Sequence, residues 1–469
     1  MPVDPERIHK LNSGSERAER RYVLYWSQMN RRVDFNHALL YAVELANRHH
    51  LPVLVYEGLT CTYEYANDRL HTFILEGVPE NAKRLKKEGI GYVFYLRRTK
   101  RDCNDTFYEL AKHAAAVVTD DYPTFIARRH NASVPAKVDV SYYAVDSSCI
   151  VPMSQIANRQ YGAYTIRPRI QRLLPKYLTA PDALRVKRRY TEAPPQFHTV
   201  VSDENVRELV AQCEIDHSVA PSSEFKGGRR EAEKFLDLFL REKLRRYADG
   251  RNEPSENVTS QMSPYLHFGQ ISALEIALRV SEYAKEHKLI ANEYLEELIV
   301  RRELAFNYAR FVEDPGDLKN LPEWCQLNMK KHLKDKRDPQ HTPQQLARAE
   351  TYDDLWNATQ KEMLTRGKIH GYYRMYWGKK IIEWSRTYEE AAKTMIDIHG
   401  RYALDGRDPN TYTNVLWCFG LHDRPWPERP VFGTMRYMSL EGMKRKTDVQ
   451  AYIDEINGRG ASQQGLWSS

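Results

Sequence analysis

The chain has 469 residues, enough for two or three domains with a sizeable buried core. Its 70 lysines and arginines against 63 aspartates and glutamates leave a net charge of +7, too mild for bulk charge alone to imply nucleic-acid binding. No apolar run approaches the roughly 18 residues of a spanning helix, no signal-peptide pattern opens the chain, and Cys61, Cys103, Cys149, Cys213, Cys325 and Cys418 lack the short paired spacing of a zinc cluster or a disulfide framework. A soluble, intracellular protein without a metal is expected.

A polar tail is expected up to about Arg20. From there to about residue 152, RYVLYW, LPVLVYEGL, GYVFYLR, AAVVTDD and VDVSYYAV read as buried strands. HALLYAVELANRHH and HTFILEGVPENAKRLKKEG, with apolar residues at spacings of three and four, read as helices between the first of them. Parallel neighbours need a crossover, so this alternation implies an α/β domain with a parallel sheet, Rossmann-like in outline. The first strand runs into SQMNRRVDFNHAL, whose turn holds no glycine, which argues against a dinucleotide bound there in the usual manner.

Between about Ala180 and Gly228 the pattern thins into proline, charge and small polar residues, read as a long connection over the surface. Four long helical periods follow: EAEKFLDLFLREKLRRYA, ALEIALRVSEYAKEHK, EYLEELIVRRELAFNYARF and EEAAKTMIDIHGRYAL. The expected division is residues 20–180 as the α/β domain, 181–225 as linker and 226–460 as an all-helical domain.

Two local patterns suggest chemistry. Thr259, Ser260 and Ser263 precede Pro264, so hydroxyls and free amides gather at a helix start, a setting for a diphosphate or for ordinary capping. Six of the eight tryptophans lie between Trp324 and Trp426, and Trp377 and Trp384 are nearly two helical turns apart. Such a cluster is either a very aromatic core or a path for electrons. Basic residues crowd near the C-terminus in DRPWPERP, TMRYM and GMKRKTD, as on a phosphate-facing surface or a solvated one.

The segments NVTSQMSPYLHFGQIS, EYLEELIVRREL, DDLWNATQKEMLTRGKIHGYYRMYWGKKIIEW, RYALDGRDPNTY and HDRPWPERPVFGTMRYM together resemble the photolyase and cryptochrome superfamily, most closely the class II cyclobutane pyrimidine dimer photolyases. The likeness runs from about residue 20 to 455 and is densest between 247 and 447. It implies an α/β antenna domain, an all-helical FAD domain, and light-driven repair of pyrimidine dimers flipped out of double-stranded DNA by a monomeric enzyme. It implies FAD held by Tyr247, Thr259, Ser260, Gln261, Met262, Ser263 and Gly406, with the Arg374 and Asp405 pair beside the ring and His399 facing N5. Glu297 and Arg251 match lesion-contacting positions, and Trp417 matches the aromatic against the flipped lesion. Trp356, Trp377 and Trp384 match a tryptophan chain running in from the surface, with Tyr376 as a further donor. Arg424, Arg429, Arg436 and Lys444 are assigned to DNA phosphates. An antenna chromophore, an 8-hydroxy-deazaflavin or a folate, fits the family, but no residue identifies it.

The chain departs from the class II pattern at His399, usually asparagine; at Phe306 before Asn307, often aspartate; at Arg301, tryptophan in some members; and at Phe35, Asn36 and His37, usually Asp-Asn-Trp. At N5 a protonated imidazole would favour anionic flavin, so a flavin response to pH between roughly 5 and 8 is expected. Two other functions stay open: a cryptochrome-like photoreceptor that signals, against which the short C-terminal extension counts, and a basic DNA-binding protein without chemistry.

Overall fold

The computed structural model describes residues 2–458. Six strands form one sheet: β1 (Ile8–Lys10), β2 (Tyr22–Trp26), β3 (Val53–Thr60), β4 (Gly91–Arg97), β5 (Ala114–Asp120) and β6 (Tyr142–Val145), in the order β1-β6-β5-β2-β3-β4. All neighbours pair in parallel except β1, which runs antiparallel to β6. Alternation along β2 explains why its run is apolar throughout. Val23 and Tyr25 join Val55 and Val118 under the helix His37–Arg48, while Tyr22, Leu24 and Trp26 pack on the opposite face with Leu54, Val117 and Phe107. Both faces are covered, as a parallel sheet requires.

The N-terminal residues correct the expectation of a polar tail. Ile8, His9 and Lys10 pair with β6, and the buried Arg7 donates to the carbonyls of Asp146, Cys149 and Ile150. A three-residue strand with one apolar residue leaves no periodic signal. The glycine-free turn after β2 has its own anion: the amides of Gln28, Met29 and Asn30 all donate to Oδ2 of Asp120, at 2.9, 2.7 and 3.0 Å. Residues 71–89 form parts of two helices, Asp68–Leu75 and Val78–Glu88, divided at Gly77 where a proline follows.

The stretch 181–225 does more than cross the surface. It carries the helix Val206–Ala211 and buries Val206, Leu209, Val210 and Phe225 in a core shared with residues of the sheet part, such as Phe94, and of the helical part, such as Leu404. Beyond it the protein is helical. Two long helices each contain a π-helical turn, at Phe239–Lys243 and Glu296–Arg301. Such turns rotate the side chains that follow and recur at functional sites. The helices Asp354–Arg366, Gly371–Trp384, Tyr388–Tyr402 and Pro409–Cys418 pack around a second core rich in aromatic rings.

One buried side chain ties the N-terminal helices to this bundle. Arg69 donates to the carbonyls of Met363 and Leu364 at the end of Asp354–Arg366, of Tyr402 at the end of Tyr388–Tyr402, and of Ala220. Helix ends expose carbonyls that need donors, and a cation there also meets the negative end of the dipole. Replacing it by methionine takes this donor from four carbonyls, one buried and three part-buried. Arg69→Met is expected to destabilise the protein by about 3 kcal/mol, seen as a lowered denaturation midpoint, whereas a change at the exposed Arg101 leaves the midpoint in place.

Candidate functional site

The helix Gly371–Trp384, the turn after Tyr388–Tyr402 and the helix start at Ser263 converge on one ion pair. Arg374, on Gly371–Trp384, places Nη2 3.1 Å from both carboxylate oxygens of Asp405. The hydroxyl of Ser263 donates to the same carboxylate at 2.7 Å. Burial pushes Asp405 upward, but Arg374, Lys368 and the Ser263 hydroxyl outweigh it and hold the carboxyl below its ordinary range. Lys368 in turn donates to Oε1 of Gln261 at 2.6 Å, and the Gln261 amide nitrogen reaches Asn257 and Thr259. Gln261 has φ +59°, a left-handed turn that bends the chain into the helix start. Sequence reading had missed Lys368 and His370, although both stand inside the run quoted for its tryptophans.

Three buried nitrogens here have no partner: Nε of Arg374, Nε2 of His399 and Nε2 of His370. A polar atom buried without a partner is costly, so three together mark a place built for a polar ligand. The open set is two donors, the Arg374 Nε–H and the His370 Nε2–H, and one acceptor, the His399 Nε2, a combination that fits a polar heteroaromatic ring. Met262 is buried at the helix start, and Tyr247 packs edge-on against Phe239 and Tyr294. Gly406 has no room for a side chain, since a Cβ there would lie 1.9 Å from the carbonyl oxygen of His399.

His399 is fixed in one tautomer. Its Nδ1 lies 2.9 Å from the carbonyl oxygen of Met395, which can only accept, so Nδ1 carries the hydrogen and Nε2 is a bare acceptor. Burial, with Arg374 adding to it, lowers its pKa to about 3. The imidazole is therefore neutral between roughly pH 5 and 8, and the expected charge change in that window is corrected.

The tryptophans form a line rather than a pair. Trp377 touches His399 at 4.7 Å between ring centres, Trp356 stacks on Trp377 at 6.2 Å and 5°, and Trp384 meets Trp356 at 5.5 Å. Trp356, from a different helix, thus stands between the two that share Gly371–Trp384. All three are buried, at 0, 1 and 0% exposure for Trp356, Trp377 and Trp384, so none reaches the surface. Tyr376 points elsewhere, its hydroxyl donating to Asp353.

A second group lies on the π-helical turn and the end of Pro409–Cys418. Glu297 accepts from Arg251 at 2.9 Å, and the Arg301 guanidinium sits 5.5 Å over the Trp417 ring, whose edge faces His422. Phe306 is instead buried against Tyr122 under Arg302, while Asn307 holds the loop at Asn158 and Gln160. Asn36 caps the helix after β2, and His37 is buried and kept neutral by desolvation. Arg424 and Arg436 flank the Trp426 ring at 5.4 and 5.3 Å, and Arg429 lies over Tyr437. Asn328, which carries no sequence signal, pins this loop through Phe432 and Thr434. Lys444 stands apart on the next helix, paired with Glu441.

A family model described as DNA photolyase matches residues 23–187. A protein of Methanothermobacter thermautotrophicus named deoxyribodipyrimidine photo-lyase is 38% identical over 97% of this chain and 99% of its own length. This chain belongs to the DNA photolyase family. It is accordingly a lyase of DNA repair. A photo-lyase of Arabidopsis thaliana is 35% identical over 97% of the chain and 93% of its own length. Among solved structures, a class III photolyase from Agrobacterium tumefaciens superposes with a TM-score of 0.67 at 16% identity, covering 95% of this chain and 88% of that one. A Synechocystis cryptochrome gives 0.68 at 15%, covering 92% and 88%. These two support the photolyase and cryptochrome fold, an α/β sheet domain and a helical domain, that the motifs had implied. Among the described residues no helix is long and apolar enough to cross a membrane, and no group of side chains is arranged to hold a metal.

The buried histidine of this photolyase gives a stability test. Unfolded, its imidazole takes up a proton near pH 6.5; folded, at about 3. Between those values the unfolded state binds more protons, so stability is full above the higher value and falls as pH drops toward the lower, by up to about 1.4 kcal/mol per pH unit. In His399→Asn the unfolding free energy is expected to fall less steeply between roughly pH 6 and 4 than in the parent, measured by denaturant titration.

Proposed function

We propose that this enzyme binds FAD in its helical part and, as a class II photolyase, splits cyclobutane pyrimidine dimers in double-stranded DNA under blue light. The observation that carries the reading is the meeting of the unpartnered Arg374 and His399 nitrogens with the inner end of the tryptophan line. When bound, FAD supplies light-driven transfer of one electron to the dimer and its recovery after the ring opens. Arg374, oriented by Asp405, places positive charge beside the isoalloxazine. His399 offers Nε2 as an acceptor to an N–H of that ring. Tyr247, Thr259, Ser260, Gln261, Met262, Ser263 and Gly406 enclose the phosphates and ribose, where hydroxyls and helix-start amides favour an anion.

On the substrate side, Arg251 and Glu297 face the carbonyl edge of the dimer, where hydrogen bonding stabilises the charge that develops on it. Trp417, braced by Arg301, is a wall for the flipped lesion. Arg424, Arg429, Arg436 and Lys444 contact DNA phosphates. The functional division is an antenna domain built on the sheet, from β1 to about residue 180, a connection at 181–225 that also packs in the core, and an FAD domain from 226 on. The enzyme acts as a monomer, and its antenna is a deazaflavin or a folate.

The decisive experiment illuminates dimer-containing DNA with chemically reduced, FAD-loaded protein, which bypasses photoreduction. Loss of dimers is expected; a flavin-loaded protein that binds the lesion yet leaves it intact overturns the reading. Glu297→Ala is expected to cut repair per photon by about tenfold or more while changing lesion affinity less, since the Glu297 carboxyl, as a hydrogen-bonding group, acts mainly on the charge that develops in the reaction. Arg424→Ala with Arg436→Ala is expected to weaken binding of damaged and undamaged DNA alike and to reduce its salt dependence, read from binding isotherms at several salt concentrations.

A further inference from the structure

A line of three buried indoles cannot exchange electrons with solvent on its own. Beyond Trp356, the rings that contact Trp384 among the described residues are His341, at 5.1 Å, and Tyr352, at 5.5 Å. Imidazole is not readily oxidised, whereas phenol is. The indole N–H of Trp384 donates to the phenolic oxygen of Tyr352 at 3.3 Å. Tyr352 is 61% exposed, just before the Asp353 cap of the helix that carries Trp356. The order from inside to outside is therefore Trp377, Trp356, Trp384, Tyr352, each ring in contact with the next.

Charge around Trp384 favours the outward direction. The Lys380 ammonium lies 5.6 Å from the Trp384 ring, so a positive hole on that indole faces a cation, tempered by the Glu383 carboxylate 2.7 Å from the same nitrogen. A phenol that gives up its proton on oxidation carries no such positive charge. Tyr376, next to Trp377 on the same helix, is buried with its hydroxyl tied to Asp353, and its ring makes no ring contact with the three tryptophans among the described residues.

We propose that Tyr352 is the terminal electron donor of this enzyme, linking the buried tryptophan line to solvent. The proposal rests on the FAD reading above, with the photoexcited flavin as oxidant. One electron leaves Trp377 for the flavin; electrons from Trp356 and then Trp384 refill the vacancy, leaving a radical cation on Trp384. Tyr352 then gives one electron to Trp384 and its phenolic proton to water, which restores the indole and leaves a neutral tyrosyl radical at the surface. A thiol in solution returns that radical to phenol by donating one hydrogen atom, and thiyl radicals pair as disulfide.

The test is electron paramagnetic resonance on flavin-loaded protein frozen under illumination, with ring-deuterated tyrosine to mark tyrosyl signals. The parent is expected to show a radical whose spectrum narrows on deuteration. Tyr352→Phe, a change at an exposed ring, is expected to lose that signal, retain a tryptophanyl one, and photoreduce its flavin several-fold less efficiently in the presence of thiol, while Tyr352→Trp restores much of the yield. A tyrosyl signal that persists in Tyr352→Phe, or photoreduction equal to the parent's, overturns the proposal. Trp377→Phe separates the two readings: loss of photoreduction there with flavin still bound supports the FAD and tryptophan assignment whatever Tyr352 does, and a protein that takes up no flavin overturns both.

Discussion

The pairing of Arg374 with Asp405 is the contact on which the arrangement of the helical half depends. A carboxylate and a guanidinium taken out of water are stable only if each finds the other and its remaining hydrogen-bonding capacity is met. Asp405 meets this need with Arg374 and Ser263, which belong to different segments. The turn after Tyr388–Tyr402, the helix Gly371–Trp384 and the start of the helix at Ser263 are thereby fixed relative to one another. The tryptophans and His399 inherit their positions from those segments. What the pair leaves open is the Nε edge of Arg374, and a site with one satisfied face and one unsatisfied face is directional.

Arg69 supplies the corresponding constraint from the N-terminal half. Its guanidinium caps the ends of the helices bearing Trp356 and His399, so the sheet domain sets how those helices end. The two halves are coupled by a hydrogen-bonded cation at their seam and by the apolar core that residues 206–225 help to fill.

Much of the fold was legible because it rests on periodicity. Five of the six strands are apolar runs with both faces buried, and the long helices repeat at three and four. The strand at Ile8–Lys10 was not legible, because it is held by backbone pairing and by Arg7, neither of which needs an apolar pattern. The split at Gly77 was written in the sequence as Gly-Val-Pro but lay inside an otherwise helical repeat. At the site, residue types pointed to the chemistry only through a resemblance. The placing of Trp356 between Trp377 and Trp384 is a tertiary fact that spacing along one helix cannot contain. The acceptor face of His399 depends on the Met395 carbonyl, and its neutrality on burial and on Arg374, so no local pattern encodes either.

Asp120 gives the sheet domain an unusual independence. Where three amides in a tight turn converge, the commoner partner is a diffusible anion, and the order of the turn then varies with how much of it is present. Here the anion is tethered to the next strand of the same sheet, so its local concentration is set by covalent connection and never by supply. The turn is ordered whenever the sheet is.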